Sequence, residues 1–112
     1  MDIDTLEAGR ELDALVSVLV MDEKGRPFPY STNIAAAWLV VQKFRYGHNA
    51  PGQDAVACVV EMRYTDAADN DSECRIFSTA LAPVYACARD LPLAICRAAL
   101  KAVTGEPQKA GV

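Results

Sequence analysis

The chain has 112 residues, of which 52% are hydrophobic, and it carries 11 Lys or Arg against 15 Asp or Glu. This length suits one domain with its own core, and the apolar fraction excludes disorder for the body of the chain. The formal net charge of −4 argues against DNA or an anionic membrane as the main partner. A small anionic ligand is still compatible with this charge, because a local cluster of Arg can hold a phosphate group.

Three stretches have the 3.6-residue periodicity of amphipathic helices. The first helix is predicted to begin at a capping box, Asp4-Thr5-Leu6-Glu7. The second is predicted to begin at an N-cap Ser31, and the third at Asp90-Leu91-Pro92, with Gly105 as its end. The predicted apolar stripes are Leu12, Leu15, Val16 and Leu19, then Ile34, Trp38, Val41 and Phe44, then Leu93, Cys96, Leu100 and Val103.

Between the second and third helices the apolar pattern changes to a period of two, which is typical of half-buried strands. Strands are predicted over Val56–Tyr64, Cys74–Leu81 and Val84–Ala88, with a polar, acidic tip at Asp66–Glu73 between the first two. The element order predicts an α+β domain over residues 1–105, in which an antiparallel sheet of three or more strands packs with about three helices. Residues 106–112 are expected to form a flexible tail.

The sequence offers little for catalysis or metal binding. His48 is the single histidine and lies in a loop rich in Gly and Pro, and the acidic tip lacks the Gly and distal Glu of a calcium loop. The four cysteines form no C-x-x-C pair, so we expect reduced thiols in the core. We therefore expect no catalytic residues, no metal and no cofactor.

The amino terminus has Asp2 and Asp4 where a basic leader segment would stand, and no apolar run is long enough for a membrane span. We therefore expect a cytoplasmic protein without a membrane partner.

Binding chemistry is better represented. An aromatic ring next to guanidinium groups can stack a nucleobase while Arg holds a phosphate. The alternative is an ordinary solvated sheet face and a helix with basic residues for solubility, and the spacing leaves both interpretations open. The candidate pairs are Arg75 with Phe77 on one strand face, Tyr85 with Arg89 on the next strand, and Arg97 with Lys101 on one side of the last helix.

Three blocks of this sequence resemble signature blocks of the phage ABA sandwich domain family. They are EAGRELDALV at residues 7–16, PYSTNIAAAW at 29–38 and PLAICRAAL at 92–100, and the resemblance covers residues 6–103. The chain departs from the family at Asn33, where an Asp is usual, and after Met21, where a Gly-Trp pair usually follows.

The family is similar to the first type of phage anti-Thoeris proteins. The resemblance implies a sponge in the host cytoplasm that binds cyclic nucleotide immune signals: cyclic ADP-ribose isomers, or the cyclic oligonucleotides that an anti-CBASS protein would hold. It also implies a homo-oligomer, a dimer or a hexamer, with a base stacked between an aromatic ring and an Arg at subunit interfaces. Arg97 stands inside the third block, and Phe77 is the candidate aromatic partner.

The sequence therefore predicts a non-enzymatic sponge of cyclic nucleotides that does not bind nucleic-acid polymers. An alternative hypothesis is a phage accessory module that binds a host protein through the same surface. A third hypothesis, a small nucleotide-processing enzyme, needs a general base or a metal site that we do not find in the sequence.

Overall fold

A computed structural model describes residues 2–23, 27–46, 58–64, 72–78 and 83–104. The elements are a 3₁₀ turn at Ile3–Thr5, helix α1 at Arg10–Leu15, a π-helical segment at Val16–Val20, α2 at Ile34–Arg45, strands β1 at Val59–Tyr64, β2 at Ser72–Phe77 and β3 at Val84–Ala88, and helix α3 at Leu91–Thr104. The predicted α+β class and element order are confirmed. Within these residues no helix is long and apolar enough to cross a membrane.

The three strands form an antiparallel sheet in the order β1-β2-β3. Strand β3 has the predicted bounds, but β2 begins two residues earlier than predicted, at Ser72. Glu73 therefore belongs to β2, where it pairs with Arg63 and Cys87, rather than to the polar tip. Several predicted features lie outside the described residues: the strand ends at 56–57 and 79–81, residues 66–71 of the tip, His48 and the tail at 106–112.

Helix α3 is the centre of the domain. Nine consecutive residues, Leu93–Lys101, are buried, because the helix contacts β2 and β3 as well as the π-helical segment and α2. The predicted stripe residues Cys96 and Leu100 are fully buried, and Val103 packs against the core. Alanines on the remaining sides of α3 let these neighbours approach closely.

The predicted capping box at Asp4–Glu7 is wrong. These residues follow a different course, in which the Asp4 N–H donates to Oδ1 of Asp2 at 3.2 Å and a separate helix begins at Arg10, after Gly9. The Asp4 carboxylate instead lies 2.8 Å from Nζ of Lys101. The Asp4 side chain, which the local spacing predicted as a helix cap, therefore forms an ion pair with Lys101, 97 residues away in the sequence.

The π-helical segment changes which residues of the first helix are buried. The Met21 N–H donates to the Val16 carbonyl at 3.0 Å, a bond that spans five residues. A π-helix has more residues per turn than an α-helix, so burial recurs at Leu12, Val16 and Val20. Leu19, which an α-helical period places in the core, is 42% exposed.

Helix α2 begins two residues later than predicted, and its buried side differs from the predicted one. Asn33 is the N-cap, and its side chain accepts a hydrogen bond from the Ala36 N–H at 3.1 Å. Ser31 is buried and donates to the Asp13 carboxylate instead. Ile34 and Trp38 were predicted in the core but are 51% and 40% exposed. Val41 and Phe44 are buried as predicted, and the rest of the inward side consists of Ala36, Ala37 and Val40.

Candidate functional site

The face of the sheet opposite α3 carries polar and aromatic side chains, and we name it the open sheet face. Strand alternation places the buried Cys74 and Ile76 on the other face, so the prediction that Arg75 and Phe77 share one strand face is confirmed. The open sheet face consists of Val59, Glu61 and Arg63 from β1, Glu73, Arg75 and Phe77 from β2, and Tyr85 and Cys87 from β3, followed by Arg89.

Glu73 links two arginines at the middle of this face. Its Oε2 lies 3.4 Å from Nε of Arg63, and its Oε1 lies 3.3 Å from Nη2 of Arg75. The Arg63 and Arg75 side chains are 64% and 40% exposed, whereas that of Glu73 is 10% exposed. One carboxylate thus orients two solvent-accessible guanidinium groups and leaves the trio with a charge of +1. Guanidinium pairs of this kind suit phosphate oxygens.

Aromatic rings lie next to this charge cluster. Tyr85 is directly opposite Arg75 in the strand register, and Phe77 follows Arg75 by two residues on the same face. Both rings are half-buried, so each keeps part of its surface for contact with another flat group. Arg89 is exposed and lies beyond the other end of β2, near Ser72, roughly 17 Å along the strand from Phe77.

Arg97 lies behind β3 rather than on the open sheet face. Its Nε and Nη2 donate to the Leu6 carbonyl at 3.0 and 2.8 Å, and its Nη1 donates to the Cys87 carbonyl at 3.2 Å. The residue is 8% exposed. Arg97 therefore holds the amino-terminal segment and β3 to α3, and its predicted contact with a ligand stays a prediction. Its position within the apolar run AICRAAL was a sequence signal for such a buried role.

Lys101 makes a similar bridge one turn further along α3. Its Nζ donates to the Tyr85 carbonyl at 3.0 Å and lies 2.8 Å from Oδ1 of Asp4. The same nitrogen makes a cation–π contact with the Tyr85 ring, 5.9 Å from the ring centre. At 4% exposure it supports Tyr85 from behind the strand. A direct ligand contact by Lys101 likewise stays a prediction.

Two clefts along α1 were not predicted from the sequence. The lining of one joins α1 to residues 27–29, and the other depends on the exposure of Val18 and Leu19 after the π-helical segment, which the α-helical period does not predict. Both lie on elements other than the sheet. The larger, of about 640 Å³, is lined by Arg10, Asp13, Ala14, Pro27 and Pro29. The second, of about 530 Å³, is mostly apolar and is lined by Glu11, Ala14, Leu15, Val18 and Leu19.

A buried carboxylate joins the first two sequence blocks beside the larger cleft. Oδ1 of Asp13 accepts from the Ser31 N–H at 2.8 Å and from the Ser31 hydroxyl at 2.7 Å. The Gly9 N–H donates to the same hydroxyl at 2.9 Å. This arrangement explains why Ser31, predicted as a helix cap, is 1% exposed: it holds α1 against the turn that precedes α2.

The cysteines are free thiols in hydrophobic surroundings. Burial raises the pKa of Cys74 to about 12 and also raises the pKa of Cys96 and Cys58. These three fit the predicted core role, whereas Cys87 is half-buried on the open sheet face, where burial and then Glu73 raise its pKa. Protonated thiols are weak nucleophiles. In the described part of the chain, no three His, Cys, Asp or Glu side chains group to hold a metal.

Comparison with known proteins agrees with this architecture. The sequence model of the phage ABA sandwich domain matches residues 21–100. A crystal structure of a phage protein from Bacillus cereus ATCC 14579 superposes with a TM-score of 0.70 at 21% identity, covering 93% of this chain and 94% of that chain. At this identity the likeness concerns the fold alone. No curated protein matches the sequence.

Proposed function

Because the chain belongs to the phage ABA sandwich domain family, we propose that this phage protein binds a cyclic nucleotide signal of bacterial immunity and holds it without cleaving it. The ligand classes are cyclic ADP-ribose isomers and cyclic oligonucleotides. The observation that carries the proposal is the open sheet face, where Glu73 orients Arg63 and Arg75 next to the rings of Tyr85 and Phe77.

The chemistry of this face matches both parts of a nucleotide. Guanidinium groups bind phosphate oxygens, each charge-assisted hydrogen bond contributing about 1.5–3 kcal/mol, and a base stacked on a ring contributes about 1–3 kcal/mol. A sponge that competes with a sensitive receptor needs nanomolar affinity, about −12 kcal/mol. Two arginines and two rings reach that total only at the upper ends of these ranges, and association itself costs free energy. The proposal therefore includes a homo-oligomer in which a second subunit closes the site.

Arg97 and Lys101 have an indirect part in this proposal. By bonding the carbonyls of Cys87 and Tyr85, they fix the position of β3 and so hold the Tyr85 ring opposite Arg75. They act as positioning residues. Cys87 lies opposite Glu73 in the strand register, and burial and Glu73 raise its pKa, which disfavours a thiolate nucleophile at this position.

Isothermal titration calorimetry with cyclic ADP-ribose isomers and cyclic trinucleotides tests the proposal. The Arg75→Ala variant is expected to bind about 10- to 100-fold more weakly, as loss of a charge-assisted contact implies. Arg10→Ala is the matched control, since Arg10 is also an exposed arginine but lines the cleft on α1. Mass spectrometry of ligand released by heat should recover it intact.

Three results would count against the proposal. Absence of binding by every ligand at micromolar concentration would remove the sponge activity, and a cleaved ligand would indicate an enzyme. Loss of binding in Arg10→Ala with full binding in Arg75→Ala would move the site from the open sheet face to the cleft.

A further inference from the structure

Helix α2 is apolar on its outward side as well as on its buried side. At 100° per residue, its exposed residues fall within one arc of the helix, which we name the α2 face. Gln42 and Arg45 are its polar members, and the helix has no acidic residue. The apolar members are Ile34 at 51% exposure, Trp38 at 40%, Leu39 at 40% and Tyr46 at 78%, together with the exposed Ala35.

The area of the α2 face is that of the largest apolar patch on a typical single-chain protein. Large apolar side chains have about 150–250 Å² of surface each, so these exposed fractions amount to roughly 400 Å². The largest patch of a monomer, about 300–600 Å², is often a functional surface. It is about half of the 800 Å² that one partner contributes to a standard interface.

A complementary surface lies on the same chain, along α1 and the π-helical segment. We name it the α1 cleft, the apolar cleft lined by Glu11, Ala14, Leu15, Val18 and Leu19. Val18 and Leu19 are 60% and 42% exposed. The α2 face has a positive charge and no negative one, whereas the lining of the α1 cleft has a negative charge and no positive one.

We propose that the α2 face of one copy of this chain docks in the α1 cleft of a second copy, with the two helices antiparallel. Seven residues separate Trp38 from Arg45, and seven separate Glu11 from Val18, so both spacings are roughly 10 Å. When the Trp38 ring covers Val18, the guanidinium group of Arg45 therefore reaches the Glu11 carboxylate. In the single chain Arg45 is exposed and stacks 5.8 Å from the centre of the Tyr46 ring.

The contact joins two different surfaces, and each copy offers both. A pair of copies related by a two-fold axis can make the contact twice, because residue i of one then meets residue j of the other and the reverse. Two such contacts bring the buried area to that of a stable dimer. The docking uses neither a ligand nor the open sheet face. Substitutions at the α2 face and at Arg75 therefore test the two proposals separately, whereas a monomeric chain would count against both.

A charge exchange tests the proposal on the full-length chain. Glu11→Arg and Arg45→Glu are expected to weaken self-association at least about tenfold when made singly, because like charges then meet. The double variant restores the opposite charges and is expected to associate like the wild type. Sedimentation equilibrium measures the association, and Glu7→Arg, an exposed charge outside both surfaces, is the control. Circular dichroism melts check that each variant is folded.

Trp38 provides a second readout. In the associated wild type, its fluorescence maximum is expected at a shorter wavelength than in the diluted, dissociated chain. Each single variant is expected to have the longer wavelength, and the double variant the shorter one. A monomeric wild-type chain would overturn the proposal, as would an oligomer that ignores the single substitutions or a double variant that stays dissociated. A monomer that captures a host protein through Trp38 would also overturn it and would favour an interaction module.

Discussion

Arg97 provides the sharpest test of how this domain is held together. Substituting Arg97→Met keeps most of the side-chain volume but removes the donors to the carbonyls of Leu6 and Cys87. A hydrogen bond to a charged group contributes about 1.5–3 kcal/mol, and two carbonyls lose their donor. We therefore expect a loss of about 3–5 kcal/mol, which is a large part of the 5–15 kcal/mol typical of a domain.

Urea unfolding followed by far-UV circular dichroism measures this loss as a lower midpoint at an unchanged m-value. Arg97→Lys is the matched control, because it keeps the charge on a single nitrogen that cannot reproduce the fork geometry. Its stability is expected to lie between those of the wild type and Arg97→Met.

A stability of Arg97→Met within about 1 kcal/mol of the wild type would refute this reasoning, since an ordinary surface substitution has an effect of that size or less. If such a stable variant also failed to bind the cyclic nucleotide, Arg97 would be a direct ligand contact, as the sequence block suggested.

Two further predictions concern stability. The pKa of Cys74 rises from 9.0 to about 12 on folding and that of Tyr30 from 10.0 to about 12, so the native state binds protons that the unfolded chain releases. The contribution of these two groups to the free energy of unfolding is therefore fully present below pH 9 and should be lost as the pH rises from about 9 toward 12. Thermal melts between pH 8 and 10.5 measure this loss, and a melting temperature that does not change with pH would contradict it. Gly9 has φ +149°, a region that is nearly restricted to glycine, so Gly9→Ala should cost about 1–3 kcal/mol in urea unfolding despite open space for the Cβ atom. An unchanged midpoint would show that the turn can relax.

The local sequence pattern was sufficient to predict an element where its bounds depend on residues close in the chain. β3 and α3 have the predicted starts because Pro83 limits what precedes the strand, and Asp90-Leu91-Pro92 is a strong helix start. The alternation in β2 also separated the buried Cys74 and Ile76 from the open sheet face, since a two-residue period has no ambiguity of face.

Local pattern was insufficient where a helix could rotate or a side chain had a distant partner. An α-helical period cannot reveal that five-residue hydrogen bonds follow Leu15, so Leu19 was placed in the core. Helix α2 has apolar residues on its outward side as well as on its buried side, so the apolar stripe alone did not specify one face. The structure buries the side that carries Ala36 and Ala37 and leaves Ile34 and Trp38 exposed.

The candidate site also has features that the sequence predicted and features that it did not. The sequence predicted that Arg75 and Phe77 share a face, but the link through Glu73 required the strand to begin at Ser72, where the acidic composition indicated a loop. Arg97 and Lys101 share a side of α3 as predicted, and that side faces the carbonyls of β3 instead of a ligand. The spacing of residues along a helix predicts which side chains point in the same direction, but it does not predict what those side chains contact.

The α+β class and the order of the elements follow from the sequence because they depend on periodicity and on turn residues close in the chain, and the family resemblance follows from three sequence blocks. The tertiary structure alone decided which faces are buried and which charges meet. Asp4 reaches Lys101, Leu6 reaches Arg97 and Asp13 reaches Ser31, and each pair is joined by packing that no local pattern records. The net charge of −4 therefore said little about binding, since the arginines on the open sheet face owe their arrangement to the strand register.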